Sequence, residues 1–273
     1  MNDGTLRRED YEEPACLLCM RQGAEPIPLA RVIEKLDEHF HHKRFAEAER
    51  HLLYWLTEAE SSGDLRGQFA LQNELMGFYR KQGEKDKAIA RAKAAVALID
   101  ALGNGGSIGA ATAYVNVATV YQNFDMPEDA LPWFRKALPI YEQSLAPDDK
   151  RLGALYNNCG LTLASLGRFA EAKASYEKAL SVMERAEHGK PEMAMTYLNM
   201  ADALTAELGA EAAEKPVQAY LDRAYELICD EDAPRDGYYA FVCEKCAASF
   251  GYYGCFLQEA ELTKRAREIV EGT

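Results

Sequence analysis

Several things are missing from this sequence, and each absence narrows the reading. No apolar run approaches the roughly 20 residues that a membrane-crossing helix needs. The start, Met1 to Pro14, carries Arg7 and Arg8 but no apolar segment of the secretory kind, so no export signal is expected. Basic charge is in short supply: Lys and Arg total 31 against 44 Asp and Glu, a net charge of −13. Such an acidic chain repels phosphate backbones, which argues against nucleic acid as a general partner. Catalytic signatures are also lacking: there is no P-loop, no dinucleotide glycine fingerprint, no HExxH and no nucleophile elbow. Gly251-Tyr252-Tyr253-Gly254 reads as a helix end, not a phosphate loop. The glutamates follow exposed helix positions, where they act as solvating charge. The chain is expected to be no enzyme and to need no cofactor.

What is present is a globular composition. The chain has 273 residues, 48% of them hydrophobic, which is enough for a packed core and excludes general disorder. The length suits one repeat array or about two ordinary domains. The 7 cysteines are an odd number. With no export signal expected, the reading is reduced thiols and a cytoplasmic location.

The dominant feature is a repeat. Ala88, Ala130 and Ala172 lie 42 residues apart, as do Ala95, Ala137 and Ala179. Met76, Ala118 and Gly160 keep the same step, and so do Tyr79 and Tyr121. Tyr114, Tyr156 and Tyr197, with Asn116, Asn158 and Asn199, follow steps of 42 and 41. Small, aromatic and amide positions recurring together at one period indicate a stacked array. Each unit reads as two helices. In the clearest one, Leu155, Tyr156, Cys159, Gly160 and Leu163 mark a first helical face, and Gly167 ends it. Phe169, Ala172, Tyr176, Ala179, Leu180 and Met183 then mark a second. One such hairpin cannot bury its apolar face alone, so several must stack.

Six pairs are expected, over about 28–64, 65–107, 108–150, 151–192, 193–235 and 236–273. The first is degenerate, with Phe45, Ala48, Leu52 and Trp55 in its second helix. The fifth is read as carrying an insertion at Gly209 to Pro216 that delays its second helix. Phe250, Gly254, Ala260 and Ala266 mark the sixth, whose charged last helix would close the stack. Residues 1–27 form an N-terminal extension, and 28–273 a single repeat domain.

The run Tyr156, Cys159-Gly160, Leu163, Gly167, Phe169, Ala172, Tyr176, Ala179, repeated as Tyr114, Val117-Ala118, Tyr121, Ala130, Phe134, Ala137, resembles the tetratricopeptide repeat. The period near 42 and the Tyr156-Asn157-Asn158 start resemble the long variant seen in kinesin light chains and bacterial repeat proteins. The resemblance implies an all-α, right-handed superhelical solenoid whose first helices line a concave groove for an extended peptide or another protein. It implies a groove side formed by Asn73, Arg80, Lys81, Asn116, Gln122, Asn123, Asn157, Asn158, Asn199 and Asp202. An asparagine ladder can pair with peptide backbone without reading sequence, because each amide both donates and accepts. The same amides can instead bond the next hairpin and set the stacking, and both readings stand. Chaperone-binding relatives use a basic clamp, but Val115, Thr119, Leu161 and Leu198 do not supply one here. Arg80 and Lys81 remain either an anchor for an acidic group or a solvated helix end.

The cysteines and histidines offer an alternative function, zinc binding or redox response. Cys16 and Cys19 form a CxxC ahead of His39, His41, His42 and His51, with His39 and His42 close enough for one helix face. Against this, Leu17, Leu18 and Met20 suggest packing with free thiols. Cys243 and Cys246 fall within a helix at packing positions, unlike redox pairs at helix N-termini. The acidic stretch Glu9 to Glu13 is a candidate to dock near Arg80 and Lys81 and cover the groove. The chain is expected to be a monomer or homodimer, with Tyr238, Tyr239, Phe250, Tyr252, Tyr253 and Phe256 as core or as a dimer face.

Overall fold

The computed structural model describes residues 26–272. The readings placed on Cys16, Cys19, Glu9 to Glu13 and the rest of the N-terminal extension lie outside them. Among the described residues there are twelve α-helices and no strands. They are α1 Leu29–His41, α2 Phe45–Ser62, α3 Leu65–Lys81, α4 Lys85–Leu102, α5 Ile108–Asn123 and α6 Pro127–Ser144. They continue with α7 Lys150–Ser165, α8 Phe169–Arg185, α9 Lys190–Leu208, α10 Ala210–Ile228, α11 Gly237–Tyr252 and α12 Phe256–Glu271. The described residues fall into two compact units, one ending at Ile140 and one beginning at Tyr141, so the boundary lies inside α6. Each is an all-α stack of tetratricopeptide-like helix pairs.

Within a pair the two helices are joined by the same tight turn. Lys43, Gly83, Asp125, Gly167 and Gly254 each take a left-handed backbone just past the first helix. The following amide then reaches back five residues: Arg44 to the His39 carbonyl, Glu84 to Tyr79, Met126 to Tyr121, Arg168 to Leu163 and Cys255 to Phe250, all within 2.8–3.0 Å. This satisfies carbonyls that the helix end would leave bare. Between pairs the chain uses side-chain caps instead. Asp64, Ser107, Asp149 and Asp236 accept from the first-turn amides of α3, α5, α7 and α11. Asp64 is itself buried and also accepts from the Ile27 amide at 3.0 Å.

The core is built from small residues facing large ones. Ala88, Ala95, Ala130, Ala137, Ala172 and Ala179 are all fully buried, so the second helices approach their neighbours closely. Gly160 lies under the Tyr176 ring, and a Cβ there would sit 2.6 Å from ring carbon. The pairs Met76/Ala92, Ala118/Phe134 and Ala201/Val217 keep the same sixteen-residue spacing and are all buried. Where the first helix is large the second is small, and the reverse, so summed volume is conserved. In the first unit α3 packs on α5 as well as on α4; in the second, α9 packs on α7 and α11. First helices thus lie side by side, which sets the face discussed below.

Two expectations need correcting. The fifth pair has no delayed second helix: α10 starts at Ala210, directly after Gly209. The strong helix formers of Ala210-Glu211-Ala212-Ala213-Glu214-Lys215 carry the helix through Pro216, which removes only one bond near its start. In the sixth pair Ala266 is buried but Ala260 is exposed. Counting from the helix start, Glu259 stands where Ala172 stands in the fourth pair, and it packs over Gly251. The aromatic end is mixed: Tyr239 and Phe250 are core, whereas Tyr252 and Phe256 are exposed.

Two substitutions test this frame by urea denaturation. Gly160→Ala is expected to cost roughly 1–3 kcal/mol, because the added methyl meets the Tyr176 ring. Lys43→Gly is expected to stabilise by about 0.5–1 kcal/mol, since glycine relieves the left-handed penalty at a small cost in chain entropy. A destabilised Lys43→Gly protein would contradict the turn geometry.

Candidate functional site

In the unit ending at Ile140, the first-helix residues singled out by the repeat differ in accessibility. Asn73 is buried; its Nδ2 donates to the Phe69 carbonyl at 2.9 Å and its Oδ1 has no partner. Arg80 is half-buried, and its guanidinium makes no ion pair or hydrogen bond among the described residues. Burial pulls its guanidinium below its ordinary pKa, as expected of a cation with no counter-charge. Lys81 is exposed, and its ammonium is shifted down by the same cause. On α5, Asn116 and Gln122 are half-buried and Asn123 is exposed. Asn116 makes no side-chain hydrogen bond among the described residues. Nearby, the Tyr79 hydroxyl donates to Glu49 Oε1 at 2.8 Å, and Lys87 Nζ lies 3.2 Å from the same oxygen. Burial first, then Glu49, pushes the Tyr79 phenol up to about 12.

In the unit beginning at Tyr141, the polar residues of the first helices are linked. Asn199 Nδ2 donates to Asn157 Oδ1 at 3.0 Å, joining α9 to α7. The stacking role of the amides is thus realised for this pair, one register away from the Asn158 and Asn199 alignment. Asn158 is half-buried beside it and has a partner of its own. Asp202 is exposed, and its Oδ1 accepts from the Tyr253 hydroxyl at 2.8 Å. That hydroxyl also lies 3.1 Å from Thr205 Oγ1. Burial raises the Asp202 carboxyl pKa, and the Tyr253 bond partly offsets it. The sequence pointed to Asn157, Asn199 and Asp202 but not to Thr205 or Tyr253. Tyr253 belongs to the sixth pair, whose register is blurred, so no periodic signal could place it opposite Asp202.

The metal and redox readings gain no support. Among the described residues no group of three His, Cys, Asp or Glu side chains is placed to hold a metal ion. His39 and His42 do not share a helix face, because α1 stops at His41 and His42 is its C-terminal cap. His39 instead faces His51, with ring centroids 5.6 Å apart, and His51 Nε2 meets the Val32 carbonyl at 2.9 Å. Cys243 and Cys246 sit in mid-helix with no exposure, and burial pushes both thiols up. A protonated, covered thiol is a poor nucleophile.

Residues 68–143 and 154–182 each match the tetratricopeptide repeat. No curated protein matches the chain. Among solved structures, TPR-like repeats from Podosopora anserina described as kinesin light chain are 16% identical, with TM-score 0.50, covering 72% of this chain and 92% of theirs. A variant of the same protein is 15% identical with TM-score 0.51 over the same shares. BtubC (BKLC) from P. vanneervenii is 18% identical over 90% of this chain and 92% of its own, with TM-score 0.49. The two matched segments of the chain thus carry tetratricopeptide repeats.

The cysteine geometry makes a direct prediction. In the native protein at neutral pH, iodoacetamide should label Cys229 and Cys255 before Cys159, Cys243 and Cys246, with all five labelled after denaturation, as read by peptide mass spectrometry. Rapid native labelling of Cys243 would restore the redox reading.

Proposed function

We propose that the chain is a non-enzymatic scaffold or regulatory adaptor that binds another protein, or an extended peptide of it, along the exposed faces of its first helices. The contact residues of this reading are Arg80, Lys81, Asn116, Gln122 and Asn123 in the first unit, and Asn157, Asn158, Asn199 and Asp202 in the second. The observation that carries it is the state of Arg80 and Asn116. They stand on neighbouring first helices, partly exposed, with their polar groups unused by the fold. A guanidinium without a counter-charge suits a carboxylate of the partner, with which it can form two parallel hydrogen bonds. An unused amide suits a backbone group of the same partner. Repeat arrays of this kind commonly mediate protein–protein interaction, which agrees with this use of the surface.

The proposed setting is the cytoplasm, as a monomer or homodimer. No helix among the described residues is long and apolar enough to cross a membrane. The acidic balance disfavours nucleic acid as the partner.

The test compares wild type with an Arg80→Glu, Asn116→Ala double variant in pull-downs from lysate of the source cell. Circular dichroism first confirms that the variant is folded. Proteins retained by wild type should be lost by the variant, with at least about a tenfold drop in recovery, as expected when an attractive charge pair becomes repulsive. Equal recovery on both baits would remove this face from the binding surface.

A further inference from the structure

Helix α12 turns Leu262 and Ala266 inward, where both are buried. Its opposite side carries more than solvating charge. Phe256 is 67% exposed and Val270 61%. Phe256, Ala260, Thr263, Arg267 and Val270 follow steps of four, three, four and three, and all five are exposed. That is the spacing of a seam between two packed helices. Glu259 stands beside the seam, half-buried, and lines one open depression together with Ala260, Thr263 and Arg267. The Glu259 carboxylate and the Arg267 guanidinium make no ion pair or hydrogen bond among the described residues. They cannot serve each other, because two turns of helix hold their backbones about 12 Å apart. The face thus offers two unused charges of opposite sign and two exposed apolar side chains.

We propose that α12 is the contact between two copies of this chain, with the two helices packed antiparallel across a two-fold axis at Thr263. The positions are balanced about that residue: Phe256 and Val270 lie seven residues either side of it, and Glu259 and Arg267 four. A second α12 turned end for end brings Phe256 of one copy to Val270 of the other, and Glu259 to Arg267, each pair twice. A two-fold contact requires this kind of self-complementarity. Ala260 and Thr263, near the middle, are small enough for the backbones to approach closely. The charges left idle in one copy find each other in the pair, and the apolar ends leave water together. One helix pair covers less than the roughly 1,600 Å² of a standard interface, so the dimer dissociates in the micromolar range. The first-helix faces proposed for peptide binding stay outside this contact, because α12 is the second helix of its pair.

The experiment is sedimentation equilibrium of the full chain from low micromolar to submillimolar concentration. Wild type should pass from monomer to dimer across that range. Arg267→Glu sets carboxylate against carboxylate, and Glu259→Arg sets guanidinium against guanidinium. Either variant alone should therefore associate at least about tenfold more weakly. An equimolar mixture of the two variants regains both opposite-charge pairs and should dimerise as wild type does. Circular dichroism first shows that each variant is folded. Net charge alone cannot mimic this pattern, because Glu259→Arg makes the chain less acidic and is still expected to weaken association. A wild type that stays monomeric throughout would overturn the contact. So would variants that associate as wild type does, or a mixture no stronger than its components. None of these outcomes bears on the pull-down of the first-helix face.

Discussion

The structure depends on how closely the two helices of a pair can approach. At Gly160 the α7 backbone lies directly against the Tyr176 ring, with no room for a methyl. The other pairs solve the same problem with different volumes, as Ala118 with Phe134 and Met76 with Ala92 show. This contact fixes the hairpin, and the hairpin fixes which residues of the first helix remain outside. On the same helix Asn157, Leu161 and Ala164 stay partly exposed. Burial of apolar side chains supplies the drive, while the left-handed turn and the side-chain caps keep each helix end satisfied. Function is therefore free to vary on a surface that packing does not use.

Much of this was legible from periodicity. Alanines recurring at one step marked the buried side of the second helices, and Gly167 marked a turn. Lys43 and Asp125 make the same turn but carry no glycine, so their backbone was invisible in the sequence. The fifth pair was misread because Pro216 looks like a breaker, whereas the alanine-rich segment before it is stronger. The connection in that pair also departs from the pattern: Gly209 is at once the C-terminal cap of α9 and the N-terminal cap of α10.

The site was less legible than the fold. A one-dimensional period says which residues are equivalent, not which ones touch. Asn158 and Asn199 are equivalent by spacing, yet Asn199 bonds Asn157. Asn73 aligns by the repeat step with Val115 and Asn157, which are half-buried, but is itself buried. Tyr253 reaches Asp202 from a degenerate repeat, and the unpaired Tyr176 hydroxyl follows from packing depth that sequence does not encode. Charge also divides the surface in a way the shared repeat does not suggest. Arg80 stands without a counter-charge in one unit and Asp202 in the other. A repeat fold held by uncharged volume exchange tolerates either.

The most direct test of the account is hydrogen–deuterium exchange on the chain with and without a partner recovered from the pull-down. Binding along the first helices predicts slowed exchange in α3, α5, α7, α9 or α11, with α4, α8 and α10 unchanged. Protection confined to the second helices, or to the connections between pairs, would contradict it.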